Sequence, residues 1–289
     1  MIMDKYVSGK TKSVSAKKRF GQNFITDNNL LQKIVSQANI TNNTFVIEIG
    51  PGMGSLTELL LNKANKVLAY EIDSDLIPKL VHRFNDKNNL ILVNRDILEV
   101  DINEDIKKYF PADAEIVMVS NLPYYITTPI LLKFLETTDK LSRLVVMTQL
   151  EVARRLTSKP GSKDYNALSI AIDYRTDASF LFKVNRAVFK PVPGVDSAVI
   201  ALSTPKNAPY PKPKDEKRFF TLVRTAFMQR RKTLANNLLA GGFSKNREEV
   251  ESVLNKAKIP IGARAETLDT MTFINLANVL ADNDVNNIQ

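Results

Sequence analysis

The stretch Phe45-Val46-Ile47-Glu48-Ile49-Gly50-Pro51-Gly52-Met53-Gly54 decides the fold. Its first five residues, mostly apolar and β-branched, predict a buried strand, and a glycine-rich turn follows at once. Ser55-Leu56-Thr57-Glu58-Leu59-Leu60-Leu61 then reads as a helix, with Ser55 as its expected N-cap. Strand, glycine turn and helix together open a ligand site in an α/β domain, because glycine takes positive φ and lets the backbone approach a ligand closely. The glycines stand at 50, 52 and 54, whereas the dinucleotide fingerprint places its third glycine where Ser55 stands. A nicotinamide-type pyrophosphate cradle is therefore disfavoured. Glu48, inside the strand, offers a carboxylate to an amino-bearing or positively charged ligand, or to the turn's own amides. On these residues alone, an ordinary βα turn that binds nothing remains the alternative.

Outward from this turn the chain repeats the pattern. Strands are expected over 45–49, 66–70, 90–94, 116–120 and 144–148, with helices over 55–62, 74–84 and 128–136. Alternation of this kind predicts a doubly wound, mostly parallel Rossmann-like sheet, whose ligand lies beyond the carboxyl ends of the strands. Gly50, Glu71, Asp96 and Asn121 each fall just past an expected strand end, so they should converge on one crevice. Glu71, about twenty residues beyond the glycine turn, is placed to accept both hydroxyls of an adenosine ribose. Asp96 can accept from an adenine amino group, with Ile72 and Ile97 on either side of the ring. Singly, Glu71 and Asp96 read as turn formers, and jointly they favour an adenosyl site.

Asn121-Leu122-Pro123-Tyr124 is the sharpest local signal. The Asn121 side-chain oxygen and a neighbouring carbonyl can accept both protons of an exocyclic amino group. Pro123 stiffens the turn, and Tyr124 can stack on a base at about 1–3 kcal/mol. A plain Asn-x-Pro turn with a core tyrosine is the competing account.

The 289 residues suffice for one large domain or two ordinary ones, and 44% hydrophobic content suffices for a core. No apolar run is long enough to span a membrane, and the Lys-rich start lacks the apolar region of a secretory signal. The chain has no cysteine and one histidine, His82, which reads as an ordinary surface residue. A thiol nucleophile and a His/Cys metal site are thereby excluded, no metal is expected, and a cytoplasmic setting fits. The net charge is +9 and is concentrated in two blocks. One is an N-terminal arm over 1–22 containing Lys17, Lys18 and Arg19. The other runs over 217–232, with Lys217, Arg218, Arg224, Arg230, Arg231 and Lys232 and no acid. Such blocks favour a nucleic-acid partner over a small acidic substrate.

Four motifs in order, Lys18-Arg19-Phe20-Gly21-Gln22-Asn23-Phe24, Glu48-Ile49-Gly50-Pro51-Gly52-Met53-Gly54, Asn121-Leu122-Pro123-Tyr124 and Phe189-Lys190-Pro191-Val192-Pro193-Gly194-Val195-Asp196-Ser197, closely resemble the bacterial small-subunit (16S) ribosomal RNA adenine N6,N6-dimethyltransferases. These are relatives of the macrolide-resistance rRNA methyltransferases. The resemblance implies S-adenosylmethionine as donor, with S-adenosylhomocysteine as product. It implies two adjacent adenines near the RNA 3′ end as acceptors, each methylated twice on N6. It also implies cofactor contacts from Asn23, Ile25, Gly50, Gly52, Glu71, Asp96 and Asn121, and a base clamp formed by Tyr124 and Phe189. The chain departs from the family pattern at Gly194, where a bulkier residue is expected. Direct in-line methyl transfer to a flipped base follows from the chemistry, with Asn121 Oδ1 and the Leu122 carbonyl binding the amino protons. The expected partner is small-subunit rRNA within a pre-mature particle, and the enzyme is expected to be a monomer. Two other readings stay open: an enzyme acting on large-subunit RNA, and an RNA- or DNA-binding factor that keeps the fold without catalysis.

The expected organisation is a basic arm (1–22), a methyltransferase domain (23–204) finished by an antiparallel edge, a proline-rich linker (205–213) and a small all-α RNA-contacting domain (214–289). A polar, mobile loop is expected over 159–165.

Overall fold

In the computed structural model, which describes residues 2–3, 23–205 and 207–286, the ten strands are β1 (Ile2–Met3), β2 (Phe24–Ile25), β3 (Thr44–Ile49), β4 (Lys66–Tyr70), β5 (Leu90–Val93), β6 (Glu115–Asn121), β7 (Leu141–Gln149), β8 (Asp177–Val184), β9 (Phe189–Lys190) and β10 (Ser197–Ser203). Eight of them form one sheet in the order β1-β5-β4-β3-β6-β7-β10-β8. From β1 to β7 the pairings are parallel, and β10 runs antiparallel to β7, so the expected edge is present. Every residue of β3 is buried, as befits a central strand covered on both faces. The chain moves outward from β3 through β4 to β5, then returns to the other side of β3 as β6. Strand order reverses there, and in doubly wound sheets the crevice at that reversal is where ligands bind. The basic side chains Lys17, Lys18 and Arg19 lie outside the described residues.

The helices are α1 (Asn28–Ser36), α2 (Ser55–Leu61), α3 (Ile77–Arg83), α4 (Ile102–Tyr109), α5 (Thr127–Thr137), α6 (Leu150–Leu156), α7 (Ala167–Asp173), α8 (Glu216–Ala226), α9 (Leu234–Ala240), α10 (Arg247–Lys256) and α11 (Thr270–Asn286). Short polar side chains start several of them: Asp27 accepts from Leu30 N–H, and Asp101 from the N–H groups of Asn103 and Glu104. At α2 the cap differs from expectation. Gly54, not Ser55, is the N-cap, at φ +86°, with no side-chain cap bond. The left-handed turn needed to enter the helix is one that serine adopts only at a cost.

By its internal contacts the chain divides into two compact units, Met1–Ala153 with Ser179–Lys206, and Arg154–Ala178 with Asn207–Gln289. The expected boundary near residue 204 thus omits a segment: residues 154–178 group with the helical unit. The reason lies in packing. Tyr165 and Ile170 are buried in the same cluster as Phe219, Leu222 and Val223 of α8 and Phe273 and Leu276 of α11. Nor is the 159–165 loop loose. Gly161 N–H donates to Glu266 O at 2.7 Å, Arg230 Nη2 donates to Lys163 O at 2.7 Å, and the buried Tyr165 hydroxyl donates to Leu268 O at 3.0 Å.

Two substitutions test this packing. An alanine at Gly54 would hold a strained φ and set its Cβ 2.7 Å from the Phe84 ring. Gly54→Ala should lower stability by about 2–4 kcal/mol in urea unfolding, and a loss below about 0.5 kcal/mol would contradict the turn as described. In the helical unit, buried Asn237 donates through Nδ2 to Ala226 O at 2.6 Å and Gln229 O at 3.3 Å. Asn237→Ala strands both carbonyls and should cost about 1–3 kcal/mol by the same measurement.

Candidate active site

The glycine turn at the end of β3 is held from its neighbour strand. Gly50 N–H donates to Tyr70 O at 2.8 Å, and Gly54 N–H closes the turn onto Pro51 O at 2.8 Å. Gly50, Gly52 and Gly54 all have positive φ. A Cβ on Gly52 would stand 3.0 Å from the Phe24 ring, so this position keeps its residue small for a packing reason as well. Glu71, one residue past β4, bridges two backbone amides: Gly52 N–H reaches Oε2 at 3.1 Å and Asp73 N–H reaches Oε1 at 2.9 Å. Its own carbonyl accepts from Asn94 Nδ2 at 2.7 Å. Asp96 accepts from Leu98 N–H at 2.9 Å, which fixes its carboxylate at the end of the third expected strand.

Asn121 closes β6. Its Nδ2 donates to Asn23 O at 3.3 Å, which orients the amide so that Oδ1 is the acceptor left over. Leu122 N–H donates to Met147 O at 3.1 Å, and Thr127 Oγ1 donates to Pro123 O at 3.1 Å. The half-buried Tyr124 shares a 2.6 Å hydrogen bond between its hydroxyl and Ser197 Oγ.

These groups line one open cleft. Gly50, Gly52, Glu71, Ile72, Asp96 and Ile97 form one side of the set expected from sequence, and Asn23, Ile25, Asn121, Leu122 and Tyr124 complete it. Phe189 is the exception and requires a correction. It is absent from the lining, 0% exposed, and packed in the core of the sheet unit. In the pairing of β9 with β2 Ile25 stands opposite Phe189, and the Phe189 ring is buried in the core while Lys190 is exposed. Strand alternation permits only one of the two to face the cleft or solvent. The lining also includes residues that sequence reasoning missed, among them Phe24, Arg95 and Tyr125. A second tyrosine directly after Tyr124 was the available signal for the last of these.

The electrostatics of the cleft are unusual. Glu48 is 1% exposed, and its Oε2 has no hydrogen-bond partner. Burial lifts its carboxyl to about 8, partly offset by the Thr57 hydroxyl and reinforced by the Glu71 charge. Burial likewise raises Glu71 to about 7, against the lowering effect of the Asp73 and Gly52 amides. Two carboxyls lifted by burial in one cleft mark a site built for a positive or hydrogen-donating ligand.

The basic side chains of the helical unit have separate surroundings. On α8, Phe219, Leu222 and Val223 are buried while Arg224 is exposed. Arg218 is half-buried, with its guanidinium 5.9 Å from the Phe243 ring centre. Arg231 and Lys232 are exposed, and Arg230, also exposed, lies 3.5 Å from the Glu266 carboxylate. Among the described residues, no helix is long and apolar enough to cross a membrane.

Known proteins resemble this chain over nearly all of its length. Ribosomal RNA small subunit methyltransferase A of Geobacillus thermodenitrificans (strain NG80-2) is 44% identical over 288 residues, covering 97% of this chain and 98% of that protein. The protein of the same name from Streptococcus gordonii is 46% identical over 266 residues, 91% of each chain. Among solved structures, the 23S rRNA methyltransferase ErmE matches with a TM-score of 0.69 and 28% identity, over 90% of this chain and 100% of that one. A dimethyladenosine transferase from Plasmodium falciparum matches with a TM-score of 0.73 and 26% identity, over 87% and 95%. The family model for ribosomal RNA adenine dimethylase covers residues 13–282. This chain, with its Rossmann-like sheet and its Asn121-Leu122-Pro123-Tyr124 motif at the cleft, belongs to the ribosomal RNA adenine dimethylase family and is an rRNA adenine dimethyltransferase.

Proposed function

We propose that this enzyme uses S-adenosylmethionine to dimethylate N6 of two adjacent adenosines near the 3′ end of small-subunit (16S) ribosomal RNA during ribosome biogenesis. The observation that carries the reading is the convergence of the glycine turn, Glu71, Asp96 and Asn121 on one cleft. The name shared by relatives that match along nearly their whole length supports the small subunit as target. The substrate is a pre-mature small subunit, and the enzyme acts as a cytoplasmic monomer.

The residues present fit the cofactor. The orphaned Glu48 oxygen suits the ammonium of a methionine moiety, and the Glu71 carboxylate suits a ribose diol. Asp96, Ile72 and Ile97 suit a purine, while Asn23, Ile25, Gly50 and Gly52 complete the walls. When bound, S-adenosylmethionine supplies a sulfonium methyl, already a strong electrophile. The protein's task is positioning, an effect worth up to about 7–11 kcal/mol. Asn121 Oδ1 and the Leu122 carbonyl accept the two N6 protons and aim the nitrogen lone pair for direct in-line transfer. Tyr124, its hydroxyl tethered to Ser197, offers a ring for the flipped base. Arg218, Arg224, Arg230, Arg231 and Lys232 contact the RNA backbone, together with Lys17, Lys18 and Arg19 of the arm.

The reading is tested by incubating the enzyme with labelled donor and immature ribosomal subunits, followed by nucleoside analysis. N6,N6-dimethyladenosine should appear in small-subunit RNA, and label confined to large-subunit RNA would overturn the choice. Asn121→Ala should lower kcat by about 10²–10³-fold in the same assay, while activity at the wild-type rate would remove Asn121 from the mechanism.

A pH dependence follows from the two raised carboxyls. In the free protein, the stability linked to them is fully present below their usual 4.5 and is lost as pH rises through about 7 and about 8. A cationic ligand favours the ionised forms, so binding should release protons between pH 6 and 7.5. Calorimetry in buffers of different ionisation enthalpy should detect that release, and Glu48→Gln should reduce it and weaken binding about tenfold. Binding by Glu48→Gln with undiminished proton release would contradict the assignment.

A further inference from the structure

Tyr125 has a position that the reaction as described does not use. It is 57% exposed, the most exposed aromatic side chain among the described residues, yet it lines the cleft. Its neighbour Tyr124 is half-buried and tethered through its hydroxyl, and Phe189 is enclosed in the core. Tyr125 is free of both constraints. Ile72, on the cleft wall, is also left 41% exposed. Large apolar surfaces at the mouth of a cleft are a recognised mark of ligand contact.

We infer that Tyr125 is a cofactor-contacting residue, its ring closing over the nucleoside of the bound donor at the mouth of the cleft, on the side that holds Glu71 and Asp96. This rests on the proposed adenosyl site and deepens it. Its surroundings argue for the donor side over the acceptor side. Tyr125 follows Pro123 and Tyr124 on the turn that leads into α5, whose Ile130 also lines the cleft. The negative charges felt by its hydroxyl are those of Asp96 and Glu71, which add to burial in raising its pKa. Those carboxylates are the ones suited to purine and ribose, so the phenol stands over the nucleoside end. A ring placed there removes apolar surface from water on both partners, and its hydroxyl can donate to the carboxylates or to a ribose oxygen.

Because the side chain is exposed, its removal should leave the fold intact, and the ligand-free melting temperature of Tyr125→Ala should match the wild type. Calorimetric titration with S-adenosylhomocysteine should show affinity reduced about five- to twentyfold in Tyr125→Ala and less in Tyr125→Phe, which keeps the ring. In steady-state kinetics the KM for the donor should rise while the KM for RNA stays within about twofold. A chemical readout is independent of turnover: tetranitromethane should nitrate Tyr125 in the free enzyme, and S-adenosylhomocysteine should protect it, as read by peptide mass mapping. Unchanged donor affinity in Tyr125→Ala, or a rise confined to the RNA KM, would overturn the inference. Failure of the wild-type enzyme to bind S-adenosylhomocysteine would instead overturn the adenosyl site itself.

Discussion

The bridge from the Glu71 carboxylate to Gly52 N–H and Asp73 N–H is the constraint on which the cleft depends. It ties the turn after β3 to the segment after β4, at the point where the parallel sheet has run out of its own hydrogen bonds. Left-handed glycines make the turn tight enough for Gly52 to reach that carboxylate. With the turn so fixed, Glu48 stays beneath it and Asn121 faces it from β6. On the far side, Arg83 donates to Met53 O at 2.7 Å and pairs with Glu58, a second fastening from α3 onto the same turn.

That arrangement is electrostatically unfavourable without a ligand. Burial raises both carboxyls, the Glu71 charge adds to the rise at Glu48, and the Asp73 charge adds to it at Glu71. Stability is set aside here in favour of an interior ready for a positive or hydrogen-donating ligand, as functional sites commonly do. The compensation lies in the sheet itself, whose central strands β3, β4, β5 and β6 are buried almost throughout.

Much of this was legible in the sequence because it depended on local signals. Gly50, Gly52 and Gly54, the residues just past strand ends and the Asn121 motif each declare themselves within a few positions. What was missed depended on distant partners. Nothing near Phe189 reveals that β2 pairs with its strand and that its ring is enclosed in the core of the sheet unit. Nothing within 154–178 reveals that Tyr165 and Ile170 belong with α8 and α11. Helix α4 is a different kind of omission: Asp101 as cap and Ile102, Ile106 and Tyr109 on one buried face were readable from spacing alone. Tyr125 was passed over because an aromatic beside a stronger motif residue gives no periodic signal.

The central claim is that a sulfonium nucleoside is held by the turn after β3 and the ends of β4, β5 and β6. A crystal structure of the enzyme with S-adenosylhomocysteine tests it most directly. The account predicts ribose hydroxyls on Glu71, the adenine amino group on Asp96 and the amino-acid end beside Glu48. Ligand density anywhere other than this cleft, with Glu71 and Asp96 uncontacted, would contradict it.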